Sequence, residues 1–96
     1  MGKSIVSDKY ECFVCGMQYG LERHHCFHGT ANRKLADEDG LWVWLCPDHH
    51  RGTNGVHGKN GHYVDLRLKR AAELAYMDRL NRTPADFLKR YGKSYL

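Results

Sequence analysis

No run of apolar residues in this chain is long enough to cross a bilayer, and none follows Met1. Neither a membrane span nor a signal peptide is therefore expected. Nothing repeats and no tract is low in complexity, so one domain over residues 1–96 is the expectation at this length. Leu, Ile and Val are modest in number, while glycine is plentiful, ten in all. A chain this short buries only a small core, and domains of this size commonly draw stability from a metal or from disulfides. Charge of one sign is not dominant: the net is +4 with neutral histidine. Metal-bound thiolates would lower that balance further. So mild an excess is compatible with an anionic partner such as nucleic acid, and equally with a merely solvated surface.

Histidine is what the chain has in excess. Seven occur, most of them in "ERHHCFHG" (residues 22–29) and "LCPDHH" (residues 45–50). Four cysteines accompany them. Without a leader, the chain is expected in a reducing cytoplasm, where Cys-x-x-Cys is more often a metal or redox pair than a disulfide.

Coarse patterning places these motifs. "CFVCG" (residues 12–16) reads as a turn with a glycine to close it. "YGLERHHCF" reads as a strand. Residues 29–40 read as a polar loop, with "DED" a solvated run. "LWVWLC" reads as a second strand, rich in aromatic and β-branched residues. Its alternation puts Trp42 and Trp44 on one face, expected as core rather than as a base-stacking platform. Pro47 and Asp48 suit the start of a short helix. Four glycines between Gly52 and Gly61 then break regularity. The spacing of Val64, Leu68, Ala71 or Ala72, and Ala75 predicts a helix from about Tyr63 to Leu80. Thr83-Pro84 with Asp86 predicts a capping box opening a last helix, which Gly92 ends.

Cys12 and Cys15 form C-x2-C, and Cys46 and His49 form C-x2-H. One pair on a turn and one at a helix start can close a tetrahedron around a structural Zn²⁺. Cys26 is an alternative to His49, more simply read as a small buried residue. A redox C-x-x-C is the competing interpretation of the first pair. Once those ligands are set aside, His24, His25, His28, His50, His57 and His62 remain. Neighbours on a strand face opposite ways, so His24 and His25 cannot both hold one ion unless the strand bends. A ligand and a general base are the natural division, since phosphodiester hydrolysis needs a cation and a group that activates water. His50 follows His49 on the helix about 100° around, so it can face a second site beside the first.

The order of these motifs resembles the HNH, or His-Me finger, nuclease family. "RHH" looks like that family's first motif and "LCPDHH" like its last, with His49 in place of the final zinc cysteine. "CFVCG…GLERHH…GLWVWLCPDHH…GVH" with a closing "FLKRYGKSYL" is similar to small HNH-like proteins of phages and prophages. The resemblance implies an α+β fold: a zinc-stabilised ββα-metal domain over 12–57 with a helical extension over 62–96. It implies His24 and His50 as ligands of one catalytic divalent ion (Mg²⁺, Mn²⁺, Ni²⁺ or Zn²⁺), completed by His57 or Asn54, with His57 preferred. His25 would be the general base. Many relatives carry Asn at the start of the second strand to align that base. Gly40 or Leu41 stands there, so Asn32 is the expected substitute from the loop, or else an ordinary turn residue. His28 is a phosphate contact or incidental.

The implied activity is a metal-dependent DNA endonuclease or nickase in the cytoplasm of a bacterial host, with no small-molecule cofactor and no membrane partner. Arg33, Lys34, Arg51 and Lys59 would hold phosphates, or are simply surface charges. No segment reads as a base-reading helix, so low sequence specificity is expected. The alternatives are a non-catalytic zinc module that binds DNA or a protein partner, and, less well supported, a redox protein.

Overall fold

Alternation along "ERHH" and "WVWL" builds a two-stranded antiparallel sheet from β1 (Glu22–His25) and β2 (Trp42–Leu45). The register pairs His24 with Val43 and His25 with Trp42. Opposed residues share a face, so Glu22 and His24 lie with Val43 and Leu45, and Arg23 and His25 with the two tryptophans. The computed structural model describes residues 3–53 and 55–96; Asn54, one candidate ion ligand, lies outside them. Around the sheet stand α1 (Thr30–Asp39), α2 (Pro47–Arg51), α3 (His62–Arg79) and α4 (Pro84–Tyr91), making a small α+β protein. Among the described residues no helix is long and apolar enough to cross a membrane.

Trp42 is buried, as expected of a core residue, and Trp44 is half-buried beside it. The main cluster runs through the other sheet face, where Leu41, Val43 and Leu45 are fully buried. The tryptophans lie on the far face beneath Arg23, whose guanidinium sits 4.0 Å from the Trp42 ring centroid and 5.4 Å from that of Trp44. A guanidinium over an indole is attracted by the ring's negative face, so a cation helps to cover this sheet surface.

The stretch expected as a loop, 29–40, is largely the helix α1. Its charges face outward, yet Ala36 is fully buried and Leu35 packs on the core, so one narrow apolar side suffices to seat it. Gly40 ends it at φ 74°, donating to the carbonyls of Ala36 and Asp37. A Cβ at Gly40 would also lie 2.6 Å from the Lys3 carbonyl oxygen, so glycine is required there twice over. Nor is "DED" merely solvated. Asp39 accepts from Arg90 Nε (2.6 Å) and from the Tyr91 hydroxyl (2.7 Å), tying α1 to α4.

The helices open and close much as their punctuation predicts. Pro47 occupies the first turn of α2. Thr83 and Asp86 form the reciprocal capping box of α4, which Gly92 ends at φ 83°. Helix α3 starts at His62, and its buried side is Leu68, Ala72 and Tyr76, with Val64 alongside. Glu73 is buried there too, accepting from Ser94 Oγ and the Tyr95 amide, both at 2.7 Å. Phe87 and Tyr91 of α4 stack on each other and pack, tilted, against Phe27, which follows β1. Residues of 12–57 and of 62–96 thus share one core. Truncating Leu68, which is fully buried, is expected to cost about 2–5 kcal/mol in urea unfolding. A cost below about 0.5 kcal/mol would show that the extension stabilises nothing.

Candidate metal centres and the cleft between them

The turn carrying Cys12 and Cys15 is built by its own backbone. The Gly16 amide donates to the Cys12 carbonyl (2.8 Å) and the Cys12 amide to the Met17 carbonyl (2.8 Å). The Phe13 amide donates to the Trp44 carbonyl (2.9 Å), which docks the turn on β2 beside Cys46. Cys46 Sγ lies 3.3 Å from His49 Nδ1 and 3.8 Å from Cys15 Sγ, and Cys12 Sγ lies 3.7 Å from His49 Nδ1. The four donor atoms all fall within 4.8 Å of one another. Donors held at about 2.0–2.3 Å from one tetrahedral ion have such separations, so the group is close enough to hold a metal. Burial raises the Cys12 thiol, but backbone hydrogen bonds from Cys46, Cys15 and Val14 carry it down to about 6, toward the thiolate an ion requires. Cys26 stands apart, fully buried in the core, its thiol pushed up by burial.

A second group forms where β1 meets α2. His24 is only 3% exposed, and its Nε2 is buried with no hydrogen-bond partner. An unpaired buried polar atom of this kind costs about 1–3 kcal/mol. The rings of His50 and His57 stand 5.3 and 5.2 Å from that of His24 and 5.0 Å from each other. Ligand nitrogens of the three come within 4.8 Å. Burial first, then the nearby His50, His28 and His57 rings, pushes His24 down to about 3, so at neutral pH its lone pair is free. A buried, unpartnered, neutral imidazole facing two others fits a divalent transition metal.

The ligands are held from behind. His50 Nδ1–H donates to Glu22 Oε1 at 2.7 Å, which leaves Nε2 as the acceptor. A carboxylate on the far nitrogen is the usual device for orienting a metal-binding histidine. Hydrogen bonds from His50 and Arg51 hold the Glu22 carboxyl below its usual range. The Arg51 fork closes on both Glu22 oxygens, at 3.0 and 2.8 Å, while its side chain stays mostly exposed. His57 is returned to the site by the glycine-rich segment, its amide donating to the His50 carbonyl at 3.2 Å. That fold-back is tight: a Cβ at Gly61 would stand 1.7 Å from the Gly55 carbonyl oxygen.

His25 faces the other way, as alternation requires. Its Nε2–H donates to Asp37 Oδ1 of α1 at 3.1 Å, leaving Nδ1 as an acceptor. The bond to His25 holds the Asp37 carboxyl below its usual range. Asn32, the expected partner of His25, instead donates to the Tyr91 carbonyl at 3.4 Å and braces α1 against α4. The physical reason is the helix: within α1 the side chain that meets His25 is that of Asp37.

A cleft of about 350 Å³ opens over these groups, lined by Arg23, His24, His25, His28, Arg33, His50 and His57. A broader groove continues past His25, Asp37, Arg33 and Lys34. Lys59 is exposed on the glycine-rich segment and lines neither. His28 also belongs here. Its ring is 5.5 Å from that of His24, and its Nε2–H donates to Asp65 Oδ1 of α3 at 2.8 Å. Glu22, Asp37 and Asp65 are the site residues that motif spacing passed over. Glu22 alone had a local signal, sharing a strand face with His24. The chain matches no protein-family model, no curated protein and no solved structure.

Proposed function

We propose that the chain is a metal-dependent DNA endonuclease or nickase of the HNH type, with Cys12, Cys15, Cys46 and His49 holding a structural zinc and His24, His50 and His57 holding a catalytic divalent ion. The observation that carries this reading is the pairing, across one strand, of a buried unpartnered imidazole with a second histidine bonded to a carboxylate. A non-catalytic zinc module has no use for either arrangement, and a redox pair has no use for Cys46 and His49 beside Cys12 and Cys15.

Each residue then has a defined task. His25 Nδ1 accepts the proton of the attacking water, because Nε2 is engaged by Asp37. Asp37 fixes the ring through that bond. Arg33 and Lys34, exposed along the groove beside His25, neutralise phosphates. Arg23, at the edge of the same cleft, lies against the tryptophans and adds a further fixed cation. The cysteine group sets the start of α2 and with it His50. Bound at the three histidines, a divalent ion would supply Lewis-acid stabilisation of the phosphate and its leaving oxygen. Among the described residues the cations lining the cleft and groove are few, which fits cleavage of low sequence specificity.

Supercoiled plasmid incubated with the protein and Mg²⁺, Mn²⁺, Ni²⁺ or Zn²⁺ tests the proposal. Conversion to the open circle is expected with at least one ion, and its absence with all four would refute the activity. Asp37→Ala is expected to lower kcat by roughly ten-fold or more, short of the 10²–10⁴ that a general base itself contributes, with little change in KM. An unchanged kcat would show that Asp37 does not position the base.

A further inference from the structure

Two carboxylates stand behind two histidines of the cleft in the same way. Glu22 accepts from His50 at 2.7 Å, and Asp65 accepts from His28 at 2.8 Å. The first pair belongs to the ion site proposed above. The second had no assigned role, and Asp65 comes from the helical extension, in the first turn of α3. It is no loose surface pair. The Asp65 side chain is only 16% exposed, and its other oxygen is fixed by Lys69 Nζ at 2.8 Å. Burial pushes the Asp65 carboxyl up, but the bonds from Lys69 and His28 outweigh it and hold it below its usual range. The His28 ring stands 5.5 Å from that of His24 and 5.8 Å from that of His57. His24, His28 and Asp65 also bring ligand atoms within 4.8 Å of one another. Both trios pass through His24, whose buried Nε2 has no partner in the protein. His24, His28, His50 and His57 do not close as one such group among the described residues; with its Nε2 engaged by Asp65, His28 would turn Nδ1 to the ion at His24.

We propose that His28 is a fourth imidazole for the ion at His24, held by Asp65 as Glu22 holds His50, and that this nitrogen-rich centre takes a zinc-, cobalt- or nickel-class ion in preference to Mg²⁺. The inference rests on the ion site of the proposed function but not on DNA cleavage. Hard Mg²⁺ keeps water and carboxylate oxygen as its ligands, whereas imidazole suits the later first-row ions. The helical extension thereby becomes part of the metal centre, and the centre would join β1, α2 and α3.

Cobalt binding followed by visible absorption tests this. The protein is prepared with zinc in its cysteine group, which zinc retains against cobalt, and is then titrated with Co²⁺. The histidine centre gives weak ligand-field bands without the intense thiolate charge-transfer band that exchange into the cysteine group would show. One Co²⁺ per chain is expected at the histidines, undisplaced by millimolar Mg²⁺. His28→Ala and Asp65→Asn are each expected to weaken it by about ten- to a hundred-fold. Lys89→Met, at an exposed position of α4, is expected to leave affinity within about three-fold of wild type on the same scale. Wild-type affinity in His28→Ala would overturn the inference, as would displacement of Co²⁺ by Mg²⁺ or an equal loss in Lys89→Met. Should His28→Ala not fold, His28→Gln takes its place with the same expected loss. Failure of the wild type itself to bind Co²⁺ at the histidines removes the ion site of the proposed function as well. Tight binding without plasmid nicking would remove only the nuclease activity.

Discussion

His25→Ala is expected to reduce plasmid nicking by about 10²- to 10⁴-fold, the range over which a positioned general base contributes. The effect should fall on chemistry and not on bound metal. His25 stands opposite Trp42, away from the ligand histidines, and its polar partner is Asp37 of α1. Its ring is only 17% exposed, so some packing is lost with it, but unfolding is expected to stay cooperative and bound metal to remain near wild type. A variant that nicks as fast as wild type would mean that another group, or a contaminant, activates the water. A variant that loses metal together with activity would mean that His25 is a ligand, which the opposite facing of His24 and His25 argues against. His24→Ala separates these cases, because it should abolish binding at the histidine centre while leaving the Asp37–His25 bond in place.

Cys46→Ser is expected to unfold the domain, or to leave it without a cooperative transition, with chelation of the wild type producing the same loss. Structural zinc in small cysteine–histidine sites contributes apparent binding free energies of about 10–16 kcal/mol at neutral pH. Whole domains are stable by only about 5–15 kcal/mol. The architecture points the same way. Cys46 is buried at the junction of β2 and α2, while Cys12 and Cys15 sit on a turn joined to the sheet through the Phe13 amide. Circular dichroism and urea titration of Cys46→Ser, beside zinc-loaded and chelated wild type, provide the measurement. A folded, cooperative Cys46→Ser protein would show that the four residues merely lie together.

What could be read in the sequence divides along physical lines. Both strands, the Pro47 helix start, the Thr83 capping box and the pairing of Cys12 with Cys15 and of Cys46 with His49 rest on short-range rules: alternation, capping and i to i+3 spacing. The opposite facing of His24 and His25 is likewise a property of any regular strand. Helix α1 was missed because its outward charges resemble a loop and only Ala36 and Leu35 mark its seat. Missing α1 meant missing Asp37, since its meeting with His25 depends on where that helix lies. Asp65 had no local signal at all, being 37 residues from His28. Trp42 is buried as its size and its place on the strand suggest, but aromatic content does not say that Arg23 covers its ring.

The five-residue helix α2 carries His49 toward the cysteines and its neighbour His50 toward His24. A helix this short has little stability of its own. Whatever fixes His49 therefore restricts His50, and an ion held by one group would lower the entropy lost in filling the other. Such coupling is reciprocal by thermodynamic necessity. Were both groups to hold ions, each would favour filling of the other, so zinc in the cysteine group would tighten the binding of an ion at the histidines.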